Sequence, residues 1–155
     1  MTSRRFDRAP LLDTERLRLR AHRVEDLPFC AGMWRDTDVV RFIGGRAFTR
    51  EEVWARLLRY AGMWVMVGHG FWAIEEKASG KLVGEVGVME ARRDIEPSFE
   101  GEPEIGWALV PAAHGKGYAS EAVAAALAWA DTHIDAPKQV CIISPENTPS
   151  IRVAE

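Results

Sequence analysis

The sequence predicts an α/β fold: one mixed β-sheet with helices on its faces. Three observations predict it. Apolar and charged residues alternate strictly through Arg16-Leu17-Arg18-Leu19-Arg20, the period of a strand with one wet face. A hairpin pattern runs from Phe71 to Met89, two strand-like runs about the turn Ala78-Ser79-Gly80-Lys81. Between and beyond these lie segments of helical period that carry helix start signals.

The elements follow in order. The first strand is expected over Arg16–Arg20, and a helix from Val24 to about Trp34. Glu25 and Asp26 lie in its first turn, where the helix dipole favours acids, and Pro28 is tolerable only near its start. Thr49-Arg50-Glu51-Glu52 is a capping box. The helix it opens carries a wide apolar stripe of Val53, Trp54, Leu57, Leu58, Ala61, Trp64 and Val65, and Gly68-His69-Gly70 ends it. Strands are expected over Phe71–Glu76, Leu82–Met89 and, past a charged, proline-bearing loop from Ala91 to Pro103, Ile105–Val110. From Gly117 to His133 the pattern is helical and alanine-rich, with Ala119, Ala122, Val123, Ala126, Leu127 and Ala130 on one side, small enough to pack closely on a sheet. Gln139–Ser144 reads as a further strand, and Thr148-Pro149 as a cap followed by proline at the first helical position. The order β-α-α-β-β-β-α-β-α holds no repeat or linker, so residues 1–155 read as one domain. A final segment of roughly six or seven residues cannot hold a helix in water alone, so a C-terminal piece is expected to continue it.

Composition excludes several classes. A chain of 155 residues can bury a real core, and 47% apolar with 28% charged residues is ordinary for a globular domain. A net charge of −3 offers no footprint for nucleic acid or an anionic membrane, and the basic tail Arg4, Arg5 and Arg8 is too short to change that. No run approaches the ~18 apolar residues of a membrane span, and the N-terminus lacks a signal-peptide apolar stretch. A cytoplasmic location is expected. Cys30 and Cys141 lack metal-ligand spacing and read as small buried hydrophobes, so no metal site is expected.

The chemistry concentrates between Glu104 and Ala122, EIGWALVPAAHGKGYASEA. A strand runs into a glycine-bearing turn, and the turn into a helix. The first amides of that helix lack internal partners and sit at the positive end of its dipole, while Gly115 and Gly117 let phosphate oxygens approach the backbone. A P-loop would need glycine at position 110 and Ser or Thr after Gly-Lys, where Val110 and Gly117 stand. A dinucleotide fingerprint would place its last glycine at Ser120, and the motif comes too late in the chain to open two βαβ halves.

His114-Gly-Lys-Gly117-Tyr-Ala119 resembles the acyl-CoA signature Arg/Gln-x-x-Gly-x-Gly/Ala of the GNAT acetyltransferase superfamily. Glu104-Ile-Gly-Trp-Ala-Leu-Val-Pro, Ser120-Glu-Ala, the opening Leu12-Asp-Thr-Glu-Arg-Leu-Arg-Leu-Arg and the closing Pro145-Glu-Asn147-Thr-Pro-Ser150-Ile resemble its RimJ/RimL-type branch. His114 stands where Arg or Gln is commoner, and the family adds further strands after a segment like Ser150–Glu155. The resemblance implies the GNAT fold, a mostly antiparallel sheet flanked by helices and here lacking the last strands. It implies transfer of an acetyl group from acetyl-CoA to a primary amine, on a small molecule or a protein N-terminus. A regulatory module that only binds acyl-CoA is the competing reading, and a homodimer that completes the sheet is one arrangement the sequence allows.

By resemblance, the backbone of Leu109 and Val110 should bond the pantetheine arm, and Gly115, Lys116, Gly117, Tyr118, Ala119 and Ser120 should surround the diphosphate. Asn147 and Ser150 match positions near the cofactor's far arm, although both residues also favour helix caps. Glu104 is the candidate general base, with Glu85 second, because a charge between glycines in an apolar strand either faces a cleft or pairs with arginine. A backbone amide near Val110 is the expected oxyanion donor. His69 and His114 are weaker candidates. Trp34 and Trp54 could form an aromatic acceptor wall, and Asp94, Glu96, Glu100 and Glu102 a loop attractive to a cationic amine, although a solvated loop explains the latter as well. The motif makes one prediction: Gly117→Asp places a carboxylate at the diphosphate and should weaken acetyl-CoA binding severely. Unchanged affinity in calorimetry, with the fold intact, would remove the assignment.

Overall fold

The computed structural model describes residues 6–155; Arg4 and Arg5 of the basic tail lie outside the described residues. Five strands lie side by side in chain order, each antiparallel to the next: β1 (Leu12–Asp13), β2 (Leu17–Arg20), β3 (Phe71–Glu76), β4 (Leu82–Met89) and β5 (Glu104–Leu109). Among the described residues, the one parallel pairing is an isolated bridge between Glu104 and Val140. The two-residue β1, too short to show a period, went unseen in the sequence.

Alternation in β2 holds for Leu17 and Leu19, both fully buried, and for exposed Arg18, which pairs with Asp13 at 3.1 Å. It fails at Arg20. That side chain is buried, not wet, because two carboxylates meet it: Asp26 through two bonds of 2.8 Å and Glu75 at Nε. Burial opposes the charge of Asp26, but the Arg20 hydrogen bonds, the Arg23 backbone N–H and the Arg20 charge together outweigh it and hold the carboxyl below its usual range. A single 3₁₀ turn over Val24–Asp26 then leads into α1 (Leu27–Arg35), with Pro28 in the first turn. The four-residue α2 (Thr37–Val40), capped by Asp36, was not anticipated.

In α3 (Arg50–Val67), Thr49 accepts from the Glu52 amide at 3.2 Å, and Gly68 closes the helix in the left-handed conformation, φ 80°. The buried row is Val53, Leu57, Tyr60 and Trp64, while Leu58, Ala61 and Val65 are exposed. The stripe is narrower than expected because one row of side chains suffices to meet the sheet and α1. The hairpin β3–β4 has its expected limits. A Cβ on Gly87 would overlap the Phe71 ring, so glycine there is a packing requirement.

The sheet buries both faces. On one lies α4 (Tyr118–His133), whose Ala122, Ala126 and Ala130 are fully buried and whose Trp129 meets Trp64 and Trp72 edge-on at 5.3 and 5.2 Å. On the other, α1, α2 and α3 enclose Cys30, Met33, Trp34, Val53, Tyr60, Phe71 and Ala108.

The expected strand over Gln139–Ser144 is corrected to that single bridge. Ile105 N–H donates to Val140 at 2.8 Å and Val140 N–H to Pro103 at 2.9 Å, after which the chain leaves the edge. Cys141 is therefore exposed, unlike buried Cys30. The chain then forms α5 (Thr148–Ala154).

Breaking a buried ion pair from one side leaves uncompensated charge and costs about 3–5 kcal/mol, whereas an exposed pair is worth roughly 0–1 kcal/mol. Arg20→Met should therefore destabilise the fold severely in urea denaturation, and Arg18→Met should barely register. Equal small losses would show that Arg20 is not the anchor of this corner.

Candidate functional site

Strand period and register build the floor of a cleft. Glu85, Gly87 and Met89 pair with Ala108, Gly106 and Glu104, so both acids lie on the sheet face beneath α1–α3. The Phe71 ring covers the two glycines between them. Above this floor a cleft of about 670 Å³ opens, walled by Trp34, Arg56 and Tyr60 from the helices, by Phe48 from the loop before α3, and by residues 141–144, Asn147 and Ser150 from the C-terminal segment. Trp54, the second expected wall residue, does not line it, and neither does any acid of the loop after Ala91.

One side of the cleft is the open edge of β5. Ile105 turns its N–H to Val140, and Val110 turns its own inward to Val83 at 2.9 Å. The alternation of an extended backbone then directs the N–H groups of Trp107 and Leu109 outward, past the point where the neighbouring chain leaves. The Leu109 carbonyl lies 2.9 Å from His114 Nε2. At Val110 the N–H donates to the Val83 carbonyl and the carbonyl accepts from the Ala113 N–H, so its backbone groups are engaged within the fold. Trp107 was missed, although its two-residue offset from Leu109 identifies it.

Beyond β5 a 3₁₀ turn over Pro111–Ala113 leads to Gly115 (φ 75°) and Gly117 (φ 78°), conformations a side chain would strain. The first amide bonded within α4 is that of Glu121, to Gly117 at 3.1 Å, so Tyr118, Ala119 and Ser120 contribute the first N–H groups with no helical acceptor. Arg16 pins the turn, donating to the Lys116 carbonyl at 2.7 Å and to Glu121 at 2.9 Å. The Tyr118 side chain points elsewhere, its hydroxyl donating to Glu76 at 2.6 Å, so only its backbone belongs to the turn. Asn147 caps α5, accepting from the Ser150 amide at 3.3 Å, and both residues also line the cleft.

The two acids differ in what holds them. Glu104 is buried, and both its oxygens accept from Arg93, at 2.8 and 2.9 Å. Glu85 is 1% exposed; Trp34 Nε1 donates to Oε1 at 2.8 Å, while Oε2 has no hydrogen-bond partner among the described residues. Burial pushes the Glu85 carboxyl up to about 7, against the pull of the Tyr60 hydroxyl and the Arg56 charge. His22 Nε2 stands 3.6 Å from Oε2, and burial lowers that imidazole to about 4. The Tyr60 phenol is pushed up by the same burial. His22 and Tyr60 escaped the sequence reading, since nothing in their local pattern says that they meet beneath a cleft. His69 is a structural histidine, its Nδ1 2.8 Å from the Val88 carbonyl.

A family model described as Acetyltransferase (GNAT) domain matches residues 16–155. The uncharacterized protein YkkB of Bacillus subtilis is 30% identical over 148 residues, covering 93% of this chain and 81% of that protein. A solved structure from Bordetella pertussis, assigned to the GnaT acetyltransferase family, is 34% identical with a TM-score of 0.82, over 94% of this chain and 86% of that one. More distantly, spermidine N-acetyltransferase from Vibrio cholerae, solved with CoA and spermine, shares the fold at 19% identity, with a TM-score of 0.72 over 91% of this chain and 79% of that one.

The Glu85 carboxyl carries a stability signature. Its folded value of about 7 lies above the ordinary 4.5, so between those values the folded state holds the extra proton. Its contribution is fully present below pH 4.5, declines as pH rises towards 7, and is absent above. Glu85→Gln should therefore raise Tm more at pH 8 than at pH 5, relative to the unsubstituted protein. Equal shifts at both pH values would count against a buried, protonatable acid.

Proposed function

The chain belongs to the GNAT acetyltransferase family, and on that premise we propose that it transfers the acetyl group of acetyl-CoA to a primary amine. The observation that carries the reading is the open edge of β5 leading straight into the glycine turn of α4. These residues fit CoA. The outward backbone groups of Trp107 and Leu109 would take the pantetheine arm as an added strand. The backbone of Gly115, Lys116, Gly117, Tyr118, Ala119 and Ser120 would take the diphosphate, where several N–H groups and the helix dipole favour an anion. Asn147 and Ser150, across the cleft, would flank the far arm.

Bound acetyl-CoA supplies an acyl group already activated as a thioester. The reaction would form a C–N bond to the amine and break the C–S bond; one ammonium proton would go to a base before attack, and a second, lost as the nitrogen becomes an amide, would go to the departing sulfur to give the thiol. The base must therefore be unprotonated near neutral pH and within reach of the cleft. We assign that role to Glu85, whose carboxyl sits near 7 and whose Oε2 lacks a partner. It lies just under the cleft floor, so the proton passes through a water or the adjoining Tyr60 hydroxyl. A second reading keeps Glu104, which also lines the cleft and whose partner Arg93 is half exposed and able to swing away. The motif Glu104-Ile-Gly-Trp-Ala-Leu-Val-Pro supports a place near the RimJ/RimL-type branch. Among the described residues no helix is long and apolar enough to cross a membrane, and one transferase domain acting in the cytoplasm is part of the proposal.

Acetyl transfer to a panel of amines, followed against pH, tests the reading. The rate should rise through a midpoint near 7, the value of the Glu85 carboxyl. Glu85→Gln should lower kcat about 10²-fold or more and abolish the midpoint, while Glu104→Gln should retain it. A midpoint that survives in Glu85→Gln and vanishes in Glu104→Gln moves the role to Glu104; no acetylation of any amine ends the transferase reading.

A further inference from the structure

The α3 wall of the cleft presents cations that the protein does not neutralise. Arg56 and Arg59 both line it, and among the described residues neither forms a salt bridge, whereas Arg93, Arg46 and Arg20 each hold a carboxylate. Arg56 is also fixed in place. Its guanidinium lies 4.2 Å from the Trp34 ring centre and 5.1 Å from that of Phe48, and Nη1 donates to the Tyr60 hydroxyl at 3.2 Å. A guanidinium stacked in this way loses little freedom on binding, and its remaining donors match the two oxygens of a carboxylate. Balancing Glu85 does not account for the pair, because one buried acid faces two cations and Arg59 has no acid of its own. The lining around them includes five rings, Trp34, Phe42, Phe48, Tyr60 and Phe71.

We propose that the acceptor is an amine that also carries a carboxylate on an aromatic or apolar body, with Arg56, aided by Arg59, binding the carboxylate and the amine directed to the Glu85 side. The inference rests on the transferase reading for its view of the cleft as an acceptor site. It separates this chain from a polyamine acetyltransferase, since a polycation would face two guanidiniums that hold no salt bridge among the described residues.

The test uses acceptors that differ only in the carboxylate: L-phenylalanine with 2-phenylethylamine, L-tyrosine with tyramine, and L-tryptophan with tryptamine. Each is assayed for kcat and KM with acetyl-CoA in the unsubstituted protein and in Arg56→Met, Arg56→Lys and Arg59→Met. The carboxylated partner should be preferred about tenfold or more in at least one pair, mainly through KM, because a site built for a polar group rejects the analogue lacking it. That ratio should collapse towards one in Arg56→Met, be partly kept in Arg56→Lys, and fall less in Arg59→Met. If Arg56→Met does not fold, the other two variants carry the comparison. Preference for the plain amine in every pair, or a carboxylate preference that all variants retain, overturns the proposal and leaves the transferase reading standing. O-phosphoethanolamine and ethanolamine run alongside; a preference confined to that pair overturns the carboxylate assignment. Should no amine be acetylated, thermal shift with L-phenylalanine decides. Stabilisation that Arg56→Met removes keeps the anion site and rejects transfer, whereas no stabilisation rejects both.

Discussion

A strand in the body of a sheet needs hydrogen-bond partners on both sides, and β5 has them on both sides only as far as Ile105. There the neighbouring chain, held through Val140, turns away instead of continuing the ladder. The amides of Trp107, which lines the cleft, and of Leu109 are left pointing away from β4, and the cost of unpaired backbone there is met by water or by a ligand with strand-like donors and acceptors. The rest of the site follows from this break. It sets the open edge, the direction of the cleft, and the short path from that edge through His114 to the first amides of α4.

Charge is handled in two opposite ways on the sheet. Around Arg20 it is neutralised locally: two acids from α1's entry and from β3 surround one guanidinium, and the corner where β2 meets the helices is held by that cluster. Under the cleft it is left incomplete. Glu85 has one hydrogen bond from Trp34 and an oxygen with none, next to a histidine that burial keeps neutral. Such a carboxyl is costly to ionise and is poised where a proton can be taken up near neutral pH, which is the property acid–base chemistry requires. A protein optimised for stability alone would pair it or replace it.

The same contrast extends to the arginines. Arg93 closes on Glu104, whereas Arg56 is held by ring faces and a hydroxyl, partners that orient a cation without neutralising it. Orientation without neutralisation leaves attraction available to a ligand in a cleft lined by both rings and charged groups.

Signals local in the chain were legible without the structure. The Thr49 cap, the stop at Gly68, the limits of β3 and β4, and the glycine turn ahead of α4 each depend on a few adjacent residues and on backbone sterics, so the sequence by itself determined them. The placement of Glu85 within a strand and of Glu104 at the start of one was legible in the same way. What each acid meets was decided only by the tertiary structure. Arg93 reaches Glu104 from a loop eleven residues away, Trp34 reaches Glu85 across fifty-one, and His22 arrives from the end of another strand. The burial of Arg20 and the loss of the strand after Val140 have the same origin. Period and propensity describe a residue's own neighbours along the chain, whereas ionisation, pairing and an open sheet edge depend on which distant groups share the same small volume.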